Sequence, residues 1–302
     1  MTVSAPRPLV DRLLQLALDE DLARGDVTSE SIFGGDAQLR AAFRPRQAIV
    51  VSGLWVVKRL IELSGSELTL DAVVADGDRI EPGSIIATLS GPAVGVLALE
   101  RSCLNFLSHL SAIATFTSSC VDALGEGRAS LVDTRKTTPG WRQLEKMAVR
   151  HGGARNHRND LGDGVMIKDN HIAAAGSLSQ AVEAVRAQAH HLLRIEVEVD
   201  REEQLEEALR LAVDVVMLDN FDDQRVVAIL HRPRSRWRGG LARLCLAPPV
   251  LRRRHASQQH AQVLNLRHQP QPAHHPPEHW RCVRARVRVC VCVCVCVCVC
   301  VC

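Results

Sequence analysis

Apolar residues along the first 230 positions recur with two different periods, and the change from one to the other marks out the elements. Leu9, Leu13 and Leu16, with Leu14 and Ala17, keep the helical spacing and predict a helix over 9–22, closed by Gly25 and followed by a turn at Asp26–Ser29. Residues 48–52 form a short β-rich run. Residues 54–63 are helical, with Lys58, Arg59 and Glu62 on the outside. Residues 68–74 alternate as a strand and 85–89 form another, which Gly91-Pro92 stops; Asp76-Gly77-Asp78 and Glu81-Pro82-Gly83 are turns between them. Residues 97–123 carry a helical pattern long enough for one long helix or a bent pair.

Beyond this point strand and helix alternate. Strands are predicted at 129–132, 165–167, 193–199 and 215–218, with helices at 143–151, at 177–190 (capped by Ser177) and at 202–212. Repeated β-then-α units with apolar strands imply a parallel sheet covered by helices. Charged residues stand at the strand ends (Asp133, Lys168, Asp219), which favours a barrel with its site on the carboxyl-end face. A doubly wound sheet is the alternative, but it calls for a glycine-rich phosphate loop near its first strand, and none is evident. The fold class is therefore α/β: a small N-terminal α+β domain over 1–104, then an incomplete α/β barrel over 105–230.

From His231 onward no period lasts. Seven of the 13 prolines and seven of the 13 histidines fall here, and the chain ends in a strict Val-Cys alternation from Val289. Such an alternation has the period of a strand and places every cysteine on one face. A genetic origin explains it more simply, because a GT repeat reads as alternating valine and cysteine codons. Residues 231–302 are expected to be an aberrant, disordered tail rather than a domain. The tail's arginines could otherwise serve as a nucleic-acid arm and its histidines and cysteines as zinc ligands, yet no C-x₂-C pair is present.

Charge and cysteine content divide at the same place. Residues 1–230 carry 33 acidic against 24 basic side chains, whereas residues 231–302 carry one acid, Glu278, against 13 arginines. An acidic body argues against an enzyme that grips nucleic acid through a broad basic surface. Only Cys103 and Cys120 lie in the first 230 residues, so there is no disulfide framework. No charged-then-apolar leader opens the chain and the body has no run of 18 apolar residues. The expectation is a reduced cytoplasmic protein with no membrane and no nucleic-acid partner.

Three cationic clusters carry the chemistry. Asp133-Thr134-Arg135-Lys136-Thr137-Thr138-Pro139-Gly140 follows a predicted strand directly. Adjacent Arg and Lys repel one another unless polyanions face them, and the threonine hydroxyls can donate to acid oxygens. Alone, this octet reads equally well as a solvated loop. Arg155-Asn156-His157-Arg158 and Lys168-Asp169-Asn170-His171 repeat the theme, the latter again just past a strand. Together they imply a substrate with several carboxylates or phosphates. Glu196 and Glu198 share one face of a strand, and Asp219-Asn220 follows the next. These acids could hold Mg²⁺ or ribose hydroxyls, or Glu196 or Glu198 could pair internally with a lysine or arginine of the same bowl.

With these residues in view the chain resembles quinolinate phosphoribosyltransferase. The matching stretches are EDLARGDVTS, DGDRIEPGSIIATLSGPA, LERSCLNFLSHLSAIAT, DTRKTTPGWRQLEKMAVRHGGARNHRNDLGDGVMIKDNH, IEVEVD and DVVMLDNF, in that order. The resemblance implies the type II phosphoribosyltransferase barrel. The implied reaction joins quinolinate and 5-phosphoribosyl-1-pyrophosphate to give nicotinate mononucleotide, pyrophosphate and CO₂, with Mg²⁺. It further implies that Thr134, Arg135, His157, Arg158 and Lys168 bind quinolinate, joined by Arg101 from the neighbouring subunit of a homodimer or a hexamer of dimers. Lys136 would face the pyrophosphate or phosphoribosyl group. Glu198 and Asp219 would hold the ribose hydroxyls and, directly or through water, the metal.

The chain departs from the family pattern in several places. Ala154 stands where a third glycine is usual, its methyl a potential crowding of a tight turn; Met147 replaces a tyrosine and Trp141 a leucine. The phosphate-binding glycine loops expected after the last matched strand are not recognisable, and Arg238-Gly239-Gly240 lacks their context. The alternatives carried forward are a nicotinate phosphoribosyltransferase and a catalytically defective relic that at most dimerises.

Overall fold

The structure is a computed structural model, which describes residues 7–126, 129–231, 243–246 and 289–292. They fall into two compact units, drawn from Met1–Cys120 with Thr137–Ala154 and from Val121–Lys136 with Arg155–Cys302.

The first unit begins with α1 (Arg7–Leu22), which buries Val10, Leu14 and Leu18 at the spacing of one helical face. The turn expected at Asp26–Ser29 is instead the start of a short helix, α2 (Val27–Ile32). Asp26 caps it, its carboxylate accepting from the Ser29 N–H at 3.0 Å, so the polar residues that read as a turn are the cap of a helix. β1 (Gln38–Phe43), β2 (Ile49–Val50), α3 (Leu54–Ser64), β3 (Thr69–Ala72), β4 (Arg79–Ile80) and β5 (Ala87–Pro92) follow. β5 lies between β1 and β3, antiparallel to both, and β2 pairs with β4. β5 runs on through Gly91-Pro92. Gly91 has φ +148°, and a Cβ there would stand 2.7 Å from the Glu67 carbonyl oxygen, so the strand passes because this residue has no side chain.

α4 (Ala93–Leu124) is a single helix of 32 residues rather than a bent pair. Leu99, Cys103, Phe106, Leu110, Ile113 and Thr117 recur along it at three- and four-residue steps and are all buried. α5 (Arg142–His151) belongs to the same unit. Its Met147, at the position where a tyrosine is usual, accepts the indole N–H of Trp55 through sulfur.

The second unit holds β6 (Ser130–Val132), β7 (Val165–Ile167), α6 (Asp169–Ala175), α7 (Leu178–Gln188), β8 (Ile195–Val199), α8 (Glu202–Arg210), β9 (Val215–Leu218), α9 (Asp223–Leu230), β10 (Arg243–Leu246) and β11 (Val289–Cys292). All five pairings in the six-stranded sheet, in the order β6-β11-β10-β9-β8-β7, are parallel. Within 231–302, β10 and β11 are strands of this sheet and His231 closes α9; the remainder of that segment, Arg238–Gly240 included, lies outside the described residues.

Alternation along the strands sorts the side chains into two sets. Ile167, Ile195, Val197, Val199, Val216 and Leu218 join Leu178, Val182, Leu205, Leu209 and Ile229 of the helices in the main core. Val132, Met166, Val215 and Met217 form a second, smaller apolar cluster. Glu196 stands in register with Met166 and Val215, and Glu198 with Met217, so both carboxylates share the side of that smaller cluster. The sheet therefore has a greasy outer face under helices and an inner face into which charge is introduced.

Candidate active site

The charged residues predicted at strand ends are where the strands stop. Asp133 directly follows β6 and is 3% exposed. Its N–H donates to the Arg155 carbonyl at 3.1 Å, and Arg155 returns its own N–H to Leu131 at 2.9 Å, so the returning chain runs parallel beside β6. The Asp133 carboxylate then accepts the backbone N–H of His157 at 2.7 Å. A buried acid thus fixes the main chain that carries His157 and Arg158.

Arg158 is held along β7. Its guanidinium donates to the Gly164 carbonyl and to the Met166 sulfur, both at 3.3 Å. The intervening loop is tied by Asp163, which accepts the backbone and side-chain N–H groups of Asn159 at 2.8 and 2.9 Å. Burial, and next the charge of Arg135, lower the Arg158 pKa from its ordinary value, while Glu196 and Glu198 oppose them. Two arginines from separate loops and two carboxylates from one strand therefore share a local field.

The carboxylates of β8 each meet one base. His157 Nε2 lies 2.7 Å from Glu196 Oε2, and Lys168 Nζ lies 2.5 Å from Glu198 Oε2. The expected internal pairing with a lysine is thus found at Glu198, whereas the internal partner of Glu196 is a histidine. Lys168 follows β7 and is the residue on which α6 starts, and its backbone N–H donates to His171 Nδ1 at 3.0 Å. Asp219 follows β9, with its N–H on the Val199 carbonyl and Oδ2 accepting from the Asn220 amide at 2.9 Å. Asn220 has φ +60°, a left-handed conformation that asparagine tolerates and that recurs where side chains are presented to a site.

The remaining predicted residues are placed as follows. Thr134 Oγ1 accepts the Lys136 N–H at 3.1 Å, which shapes the turn after β6; Arg135 is half-buried and Lys136 exposed. Arg101 is exposed on α4, in the first unit. Among the described residues no group of three or more His, Cys, Asp or Glu side chains is arranged to hold a metal. Glu198 and Asp219 offer two carboxylates on neighbouring strands. That donor set suits Mg²⁺, which keeps several waters and shares its shell with substrate phosphates.

Sequence reasoning missed a second network at the far end of the Asp133–Gly140 loop. Glu145 on α5 is buried, yet Oε2 accepts the Thr138 N–H at 3.2 Å and Oε1 meets His109 Nε2 at 3.2 Å. Burial pushes this carboxyl up, but the bonds from His109 and Thr138 outweigh it and leave the carboxyl below its ordinary value. Trp141 stacks on Phe106 with ring centroids 4.6 Å apart and presents an edge to His109 at 4.9 Å. Glu145-Lys146 among the apolar positions of a helix was the available signal. Ala154 has an ordinary backbone and is buried; the tight approach is at Gly152, where a Cβ would lie 2.5 Å from the Ala114 carbonyl oxygen.

Residues 26–111 match the family model described as quinolinate phosphoribosyl transferase, N-terminal domain, and residues 113–244 its C-terminal domain. The chain is 44% identical over 209 residues to a probable nicotinate-nucleotide pyrophosphorylase [carboxylating] of Bacillus subtilis, covering 69% of this chain and 72% of that one. It is 41% identical over 225 residues to the nicotinate-nucleotide pyrophosphorylase [carboxylating] of Mycobacterium leprae, covering 72% and 78%. The crystal structure of NadC from Streptococcus pyogenes superposes with a TM-score of 0.76 at 37% identity, over 82% of this chain and 86% of that one. The nicotinate-nucleotide pyrophosphorylase from Francisella tularensis does so at 0.74 and 32%, over 80% and 84%. With both of its domain models matched in order, this chain belongs to the quinolinate phosphoribosyl transferase family.

Proposed function

We propose that this protein transfers the phosphoribosyl group of 5-phosphoribosyl-1-pyrophosphate to the ring nitrogen of quinolinate, with loss of CO₂, to give nicotinate mononucleotide and pyrophosphate. The observation that carries this reading is the pairing on β8, where Glu196 and Glu198 hold His157 and Lys168 beside Arg158 and Arg135. A dicarboxylate is the complement of such a bowl.

In this reading Arg135, His157, Arg158 and Lys168 take the two quinolinate carboxylates, and Thr134 adds a hydroxyl. Lys136 meets the pyrophosphate. Glu198 and Asp219 hold the ribose hydroxyls and stabilise positive charge developing at C1 of the ribose as the pyridine nitrogen attacks. Mg²⁺, held by Glu198 and Asp219 directly or through water, supplies neutralisation of the pyrophosphate leaving group when bound. The carboxylate next to the ring nitrogen then departs as CO₂, its electron pair remaining on the ring carbon that takes up a proton. The cations orient that carboxylate, and too tight a grip on it would favour the ground state and slow its loss. Arg101 acts in the neighbouring subunit's site of a homodimer or of a hexamer of dimers, in the cytoplasm. Among the described residues no helix is long and apolar enough to cross a membrane.

The test is direct. Purified protein with quinolinate, 5-phosphoribosyl-1-pyrophosphate and Mg²⁺ should release CO₂ and nicotinate mononucleotide in equal amounts, and chelation should stop the reaction. Equal turnover of nicotinate without CO₂ would refute it. A second reading, a defective relic, is favoured by one observation: the family match ends at residue 244 of 302. That reading predicts a chain that at most dimerises and forms no product from quinolinate.

A further inference from the structure

We infer that Glu196 is a positioning residue of the carboxylate-binding pocket, fixing the ring of His157 by taking the hydrogen on its Nε2. The inference rests on the reading that His157 grips quinolinate. In register Glu196 is flanked by Met166 on β7 and Val215 on β9, and it is 6% exposed. A carboxylate in an apolar row is costly, and a valine would extend the pattern of the strand at no such cost.

Its bonding is lopsided in a way that a purely structural acid would avoid. Oε2 meets His157 Nε2 at 2.7 Å, whereas Oε1 is buried with no hydrogen-bond partner. Buried polar atoms left unsatisfied in this manner concentrate where function requires the group. With Nε2 as the donor to Oε2, Nδ1 is left on the ring edge remote from Glu196. The backbone of His157 is fixed separately, by its N–H to Asp133 at 2.7 Å. Asp133 therefore sets where the residue is, and Glu196 sets which way its ring faces and which nitrogen bears the proton. The charge of Glu196 also bears on Arg158, the next residue in the chain.

Two measurements test this on the full chain. Two-bond ¹H–¹⁵N spectra of the free, histidine-labelled protein, assigned with His157→Asn, should show hydrogen on Nε2 of His157 in the wild type. In Glu196→Gln, which keeps the shape of the side chain, the signature should move toward the other tautomer or an average. In the quinolinate assay E196Q should raise KM for quinolinate about tenfold, leave KM for the phosphoribosyl donor within about twofold, and be partly restored in Glu196→Asp. The double variant E196Q/H157N should be no worse than H157N alone. An unchanged tautomer in E196Q, or losses that multiply in the double variant, would overturn the inference. If E196Q does not fold, Glu196→Asp reads the same shift in KM and the same spectra. Absence of CO₂ release by the wild type would sink the proposed function, while the spectra would still decide the role of Glu196.

Discussion

Gly152 packs against α4 with no room for a side chain. It ends α5 with φ −75°, a value any residue accepts, so alanine there brings no backbone strain. The added Cβ would, however, stand 2.5 Å from the Ala114 carbonyl oxygen and 2.5 Å from Thr117 Cβ. The carbonyl belongs to the middle of α4 and cannot rotate away. Relief requires the end of α5 to draw back by about 0.9 Å, to ordinary van der Waals contact. Overpacking of this kind costs roughly 1–3 kcal/mol, and a contact against backbone belongs at the upper end. For a protein of this size each kcal/mol is about 2–4 °C in melting temperature, so Gly152→Ala should melt about 6–12 °C lower. Thermal unfolding followed by circular dichroism reads this. Gly34→Ala is the control: nothing lies within 4 Å of its Cβ position and its φ is not positive. Melting of Gly152→Ala within 2 °C of both the control and the wild type would show the steric reasoning to be wrong.

Further outcomes follow from other sites. Lys168→Met should lower kcat/KM for quinolinate by about 100-fold or more and also lower the melting temperature, because it leaves the largely buried Glu198 carboxylate without the ammonium that pairs with it; a loss of stability with kcat/KM unchanged would contradict the assignment. His151 Nδ1 lies 2.8 Å from the buried Ser52 hydroxyl, and burial holds its pKa below the ordinary histidine value, with Asp76 opposing and Arg150 assisting. The unfolded chain therefore takes a proton before the folded one does, so this residue's contribution is intact above about pH 6.5 and is lost progressively as pH falls below it. Denaturant midpoints at neutral and mildly acidic pH should differ less in His151→Asn than in the wild type. Asn220→Val should cost about 1–2 kcal/mol because its φ is +60°. Asn220→Gly should restore stability by melting temperature yet still lack the bond to Asp219, which a lower kcat at normal stability would report.

What could be read in advance follows the strength of the local pattern. β7 and β9 are short apolar runs, each followed directly by a charged residue, and their predicted limits are those observed. β1 was not anticipated because Gln38-Leu-Arg-Ala-Ala-Phe has no β-branched residue and only Phe43 is fully buried; its pairing with β5 makes it a strand. α6 was hidden because Lys168-Asp169-Asn170-His171 reads as a charged loop, although it forms the first turn of a helix. α9 was passed over at the edge of the region where periodicity fails. The cationic clusters were visible as residue types next to strand ends. The link of Glu196 to His157 depends on 39 intervening residues and on strand register, and no local period encodes that.

The chain leaves the second unit after Lys136 and rejoins it at Arg155, having lent Thr137–Ala154 to the first. The two units are therefore interleaved rather than strung in series. A cut anywhere between them separates α5 from its packing, baring Leu144, Ala148 and Val149, or removes the opening strand of the sheet. In chain order, β6 of the second unit precedes the Thr137–Ala154 segment of the first. Neither piece can be expressed as a contiguous fragment and keep all its parts. The loop that carries Arg135 and Lys136 is where the chain passes from one unit to the other.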